Sequence, residues 1–237
     1  MELTTWSCLL NASGGALKPE KCFWSLLDYE NVDGEWSYVD TVPHELVVTN
    51  PDGSTSPISK EHVTASKKTL GIHDSPSGSN SGHLAFIKEK VGLWVNRMVN
   101  GLLPNHMAWV AYKHQLWPGV RYGLGTMTND LEITDNLLHK EDYRMLSILG
   151  VARSVPKDLR RLHPSFGGFG LFNLPVEQLI GRVNMLMQHY HTATNLSRKL
   201  DASLRYLQLQ LGTPTNPLLL DFTGWGHLAP LSWVKML

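Results

Sequence analysis

The hydrophobic period of this chain changes once, and that change limits what it can fold into. Up to residue 72 the apolar residues come in short clusters separated by turn residues. Beyond the Ser-, Gly-, Pro- and Asn-rich stretch His73–Gly82 they recur every three or four residues. A period of two buries one side of a strand, and a period near four buries one stripe of a helix. The expected fold class is therefore α+β, mainly α, with a small antiparallel β meander followed by a helical bundle. The divisions follow the pattern: residues 1–72 carry the meander, 73–82 a loop or hinge, 83–212 the helices, and 213–237 a C-terminal extension.

In the front part, residues 2–12 look like the end of a helix with Leu3, Trp6, Leu9 and Leu10 on one face, stopped at Ser13-Gly14-Gly15. Residues 22–27 suit a buried strand, and 34–39 and 45–49 are strand-like. Asn31-Val32-Asp33-Gly34 and Asn50-Pro51-Asp52-Gly53 are turn chemistry. In the rear part, Leu84, Ile87, Val91, Trp94, Val95 and Met98 form one helical stripe, broken at Pro104-Asn105. A second helix is predicted over 106–117, ending before Pro118-Gly119. A third covers 130–149 and closes at Gly150. Pro175 opens a fourth, whose predicted buried face is Val176, Leu179, Ile180, Val183, Leu186, Met187 and Tyr190. The fifth repeats Leu196, Leu200, Leu204, Leu207 and Leu211 and stops at Gly212. The last stretch, 214–237, is apolar and aromatic, and its end at Trp233-Val234-Lys235-Met236-Leu237 has the character of a truncation.

Composition narrows the function classes. An apolar content of 42% with eight tryptophans supports a packed core. No run approaches the roughly 18–20 apolar residues that span a bilayer, so no membrane partner is expected. The N-terminus lacks the pattern of a signal peptide, which points to an intracellular chain, cytoplasmic or nuclear. Cys8 and Cys22 have no metal-type spacing and are expected as reduced thiols. Net charge is zero, unlike a strongly nucleic-acid-binding protein, but its distribution is uneven. Residues 1–80 carry five Lys/Arg against eleven Asp/Glu, and residues 140–205 carry ten against five. The basic stretch suits phosphate contacts, and equally a solvated helical face.

Most candidate chemistry has a plain explanation. His189 and His191, two apart, diverge on a helix and are expected at the surface. Phe166-Gly167-Gly168-Phe169-Gly170-Leu171 precedes a helix but lacks the Lys-Ser/Thr pair of a phosphate loop, so a tight aromatic-flanked turn is expected. Nucleophile elbows, Ser/His/Asp arrangements and HExxH patterns do not occur. Asp130, Glu132 and Asp135 lie at a helix start, where the dipole favours acids. The exception is Arg153, Lys157, Arg160, Arg161 and His163, a basic cluster in which Pro156 can open a helical turn. Lys157, Arg160 and Arg161 are spaced to share a face, an arrangement that suits a sugar-phosphate backbone. A solvated basic turn is the alternative.

On three further strings the chain resembles the region that follows the catalytic palm in non-LTR retroelement reverse transcriptases. These are Ser13-Gly14-Gly15-Ala16-Leu17-Lys18-Pro19-Glu20-Lys21-Cys22-Phe23, Thr69-Leu70-Gly71-Ile72 and Gly167-Gly168-Phe169-Gly170-Leu171, the last with the preceding Pro156…Arg160 spacing. The resemblance implies an end-of-palm and β region over 1–72 and a thumb-like helical region over 83–212. It assigns Lys21 as the lysine that protonates leaving pyrophosphate, and Leu70 and Gly71 to the primer grip. It implies contact of Lys21, Leu70, Gly71, Arg153, Lys157, Arg160 and Arg161 with an RNA/DNA primer–template duplex. The parent RNA-directed DNA polymerase would use magnesium held by paired aspartates. Here no Asp-Asp dipeptide occurs, and Tyr38-Val39-Asp40 is followed by threonine and lies after Lys21. No complete catalytic set and no cofactor of its own are expected in this chain, and the missing palm is an expected partner. The alternative is a non-catalytic helical interaction module, or a domesticated retroelement remnant, with exposed apolar ends as its interfaces.

Overall fold

Among the described residues, eight short strands come first, then nine α-helices. The structure, a computed structural model, describes residues 5, 9, 10, 12–15, 17–39, 45–50, 52–190 and 192–229. Leu3 and Trp6 of the predicted first helical face, Cys8, Ala16, Asp40, Pro51, His191 and the 230–237 end lie outside the described residues. The chain divides into two compact units, Met1–Thr69 with His73–Gly82 and Leu70–Ile72 with His83–Leu237.

The strands are β1 (Phe23–Trp24), β2 (Tyr29–Val32), β3 (Glu35–Tyr38), β4 (Val47–Thr49), β5 (Thr55–Pro57), β6 (Ser59–Lys60), β7 (Lys67–Thr69) and β8 (Ile72–Asp74). Local turn chemistry forms the hairpins. Asp33 and Gly34 both take positive φ, 54° and 90°, which matches the twist of β2 and β3, and Asn31 accepts the Gly34 N–H at 3.1 Å. Between β4 and β5, Asp52 accepts both the N–H and the hydroxyl of Ser54.

The fold class is α+β and mainly helical, with small antiparallel sheets ahead of the helices. The strands remain separate two-stranded pairs, β2–β3, β4–β5, β7–β8 and the parallel β1–β6. Residues 22–27, predicted as a buried strand, pair only at Phe23–Trp24, and Phe23 is 41% exposed. The reason is a shortage of apolar area. Val48, Ile58 and Val63 are the buried apolar residues described here, too few to join the pairs into one sheet.

The helices are α1 (Ser81–Gly101), α2 (Asn105–Ala111), α3 (Trp117–Arg121), α4 (Leu131–Asn136), α5 (His139–Ile148), α6 (Lys157–Arg161), α7 (Leu174–His189), α8 (Asn195–Leu211) and α9 (Phe222–Trp225). No described helix is long and apolar enough to cross a membrane. In α1, Ile87, Val91, Trp94 and Val95 are buried, with Leu84 and Met98 packed beside them, as the stripe predicted. α2 departs from expectation. It runs without interruption through a π turn, Tyr112–Leu116, into α3. The proline ring at 118 would clash with a carbonyl of the preceding α-turn, and the wider turn relieves that clash. The predicted third helix is two, α4 and α5, separated at Leu137-Leu138; Gly150 then takes φ 73° as expected. α8 buries Leu200, Leu204 and Leu207, starts at a Thr194 cap and stops at Gly212.

α7 departs from most of its predicted face, although Leu186 is buried as predicted. Leu174, Gln178, Arg182 and Leu186 are the buried residues, while Val176, Ile180, Val183 and Met187 are exposed. The polar side chains go inward because the 127–134 stretch offers them partners. Arg182, 1% exposed, donates to the Met127 carbonyl from Nε at 3.1 Å and Nη2 at 2.7 Å, and to the Asn129 carbonyl at 3.1 Å. Gln178 donates to the same two carbonyls and accepts from the Thr134 hydroxyl at 2.7 Å. Backbone contact completes the seam: a Cβ at Gly181 would meet the Gly125 Cα at 2.6 Å.

Two glycine substitutions test this packing with opposite signs. G181A has only backbone to push against and should destabilise the protein by about 1–3 kcal/mol. G92A, mid-α1 with nothing within 4 Å, should stabilise by about 0.5–1 kcal/mol. Urea unfolding of both reads the difference, and equal shifts would refute the close α7 seam.

A basic cleft as the candidate functional site

The cleft is built on one helical turn. Pro156 precedes α6 and suits its start, and Arg160 and Arg161 lie in its last turn. The glycine-rich loop is the expected tight turn: Gly167 and Gly170 take φ 81° and 67°. It also anchors α6, because Phe169 N–H donates to the Leu159 carbonyl, Gly170 N–H to Leu162 and Leu171 N–H to Arg160. Phe172 then stacks on Trp117 at 3.9 Å, and its N–H donates to the Tyr112 hydroxyl at 3.0 Å. Burial pushes that hydroxyl well above the usual tyrosine range.

Beside α6 lies a cleft of about 320 Å³. Lys157, Arg160 and Arg161 line it from α6, Asp135 from α4, and His139, Asp142 and Tyr143 from α5, over apolar contacts from Leu146, Leu171 and Phe172. Lys157 and Arg161 both pair with Asp135, Arg161 at 2.6 Å. Arg160 lies over the Tyr143 ring at 5.7 Å, and its buried Nε has no hydrogen-bond partner among the described residues. Burial pushes Asp135 up, but hydrogen bonds and charge from Lys157 and Arg161 outweigh this and hold it below the usual carboxylate range. Asp142 goes the other way: burial raises it, and the cations nearby do not fully compensate.

Of the residues singled out from sequence, Lys157, Arg160 and Arg161 therefore meet in one place. Arg153 stays outside the cleft lining, exposed, with its Nε on the Ser147 hydroxyl at 3.1 Å. Leu70 and Gly71 form the tip between β7 and β8, with φ 51° and 91°. Lys21 sits exposed in a 3-10 turn, Pro19–Lys21, of the β-rich unit. Asp135 corrects its sequence reading. It serves as counter-ion to α6, while Asp130 caps α4 by accepting the Glu132 N–H. Sequence reasoning missed Asp142, Tyr143 and His139, because a pairing across separate helices has no spacing signal. Among the described residues no group of three or more His, Cys, Asp or Glu side chains is placed to hold a metal ion.

The Asp135 pairing has a pH signature. A carboxylate held low in the fold adds stability above its unfolded pKa, about 4, and loses it as pH falls through the lower folded value. D135N should cost about 0.5–1 kcal/mol at pH 7, and the cost should shrink as pH falls below about 4, read by chemical denaturation at pH 7 and at the lowest pH where the fold persists. An equal loss at both pH values would rule the ion pairs out as the cause.

Comparison with protein-family models, with curated proteins and with solved structures found no match for this chain.

Proposed function

We propose that the chain is a non-catalytic, nucleic-acid-contacting part of a non-LTR-type reverse transcriptase, and that α6 lies along the backbone of an RNA/DNA primer–template duplex. The observation that carries this reading is the cation set of α6. Lys157, Arg160 and Arg161 share one cleft, and Arg160 has a buried donor without an acceptor. Asp135 holds the other two cations in place until a phosphate competes for them. The strings around Lys21, Leu70-Gly71 and Gly167–Leu171 support the family assignment by resemblance, and the lack of an Asp-Asp pair supports a non-catalytic role. Intracellular location follows from the same reading.

A second reading has its own support. Val176, Ile180, Val183 and Met187 form an exposed apolar stripe on α7, the kind of surface a helical interaction module presents.

Binding to an RNA–DNA primer–template duplex at two salt concentrations separates the two. The duplex should bind in a salt-dependent way without being extended. The double variant R160Q/R161Q should lower affinity and reduce the salt slope by about 1–2. An unchanged slope would remove α6 from the interface. Absence of binding at low salt, with an intact helical circular dichroism spectrum, would favour the interaction module.

A further inference from the structure

We infer that the cleft beside α6 is a pocket for a single phosphodiester group, and that Asp142 must take up a proton for the group to bind well. The nucleic-acid reading supplies the carrier of that phosphate; the pocket itself rests on geometry. The volume, about 320 Å³, compares with about 30 Å³ for one water, so a phosphate fits with part of its sugar. Arg161 and Lys157 already share Asp135. Arg160 has no such partner among the described residues: its guanidinium lies over the Tyr143 ring, with Nε buried and unsatisfied. A buried donor of this kind costs about 1–3 kcal/mol until an acceptor arrives. Phosphodiester oxygens are acceptors of the right charge for it.

Asp142 is the group that competes. It lines the same cleft and makes no ion pair within 4 Å among the described residues, yet it feels Arg161, Arg160 and Lys157 from α6 and His139 from its own helix. Asp135 faces the cleft from α4, and Tyr143 from α5. An ionised Asp142 repels an incoming anion and draws on the same guanidiniums; a protonated one does neither and offers an O–H donor. Burial already biases the carboxyl toward the protonated form. No covalent step is involved, since one proton moves from solvent to the Asp142 carboxylate as the anion enters. By linkage the anion must then raise the apparent pKa of Asp142.

The probe is dimethyl phosphate, a monoanion throughout the range, titrated into the full chain between pH 8 and pH 5.5. The Arg160 Nε–Hε signal is followed by NMR. That signal should shift saturably, and affinity should rise about fivefold or more toward pH 5.5. D142N should bind at pH 8 about as tightly as the unmodified chain does at pH 5.5, with little pH dependence. H139Q should leave the pH dependence in place. R160K keeps the charge but loses Nε, and should bind several-fold more weakly. Should D142N fail to fold, the carbon-13 titration of the Asp142 carboxyl in the unmodified chain decides, because its midpoint must rise when dimethyl phosphate is added.

The proposal falls if Arg160 shows no saturable shift, if D142N keeps the full pH dependence, if H139Q abolishes it, or if that midpoint stays still. The duplex provides a separate arm. Dimethyl phosphate binding without duplex binding supports the pocket and removes the nucleic-acid reading. Duplex binding with no response to dimethyl phosphate does the reverse.

Discussion

The Arg182 guanidinium, buried with no carboxylate in ion-pair contact among the described residues, sets the frame of the helical unit. Desolvation weakens its hold on the proton, and the charge of Asp130 acts against that. Its charge is met by carbonyl dipoles: it and Gln178 gather the oxygens of Met127 and Asn129, and Gln178 reaches Thr134. Those bonds fix the entry to α4. α4 in turn carries Asp135, so the position of the anion that organises α6 is inherited from a cation on α7. A hydrocarbon in place of Arg182 would strip three charged hydrogen bonds from the Met127 and Asn129 carbonyls and leave Gln178 as their remaining side-chain donor, which is the costly side of hydrogen bonding.

The cleft then holds opposing tendencies within a few side chains. Asp135 is stabilised as an anion by direct pairing, and Asp142 is pushed toward neutrality by burial. Two carboxyl groups in one cleft are thus displaced from the ordinary carboxylate range in opposite directions, because one touches its cations and the other only senses them. The loop from Gly167 to Leu171 makes this arrangement rigid. Its backbone donors satisfy the carbonyls of Leu159, Arg160 and Leu162, the end of a helix too short to stand by itself.

What was legible in the sequence was whatever depends on local spacing. The α1 stripe, the leucine-repeat helix that stops at Gly212, the Asp33-Gly34 turn and the shared face of α6 all follow from neighbours a few residues apart. Illegible were choices settled by distant partners. On α7 the apolar residues outnumber the polar ones, so a hydropathy reading points Val176 and Ile180 inward; the carbonyls at 127 and 129 decide otherwise. The strand pairs stayed apart for want of apolar area, a property of the whole unit that no single stretch displays. Half of the cleft was visible, its cations, since they are contiguous. The acids, the tyrosine and the histidine opposite them come from other helices.

The π turn at Tyr112–Leu116 carries one more implication. Such a turn contains an additional residue compared with the α form, so everything after it is rotated by about 100° relative to an uninterrupted helix. Tyr112, which accepts the Phe172 N–H, opens this turn, and Trp117, which stacks on Phe172, follows directly after it. The offset works as a phase adjustment, bringing two aromatic rings from a single helix onto one partner that ordinary spacing would have placed out of step. In that sense a one-residue irregularity in the chain is what lines up the aromatic wall behind the cleft.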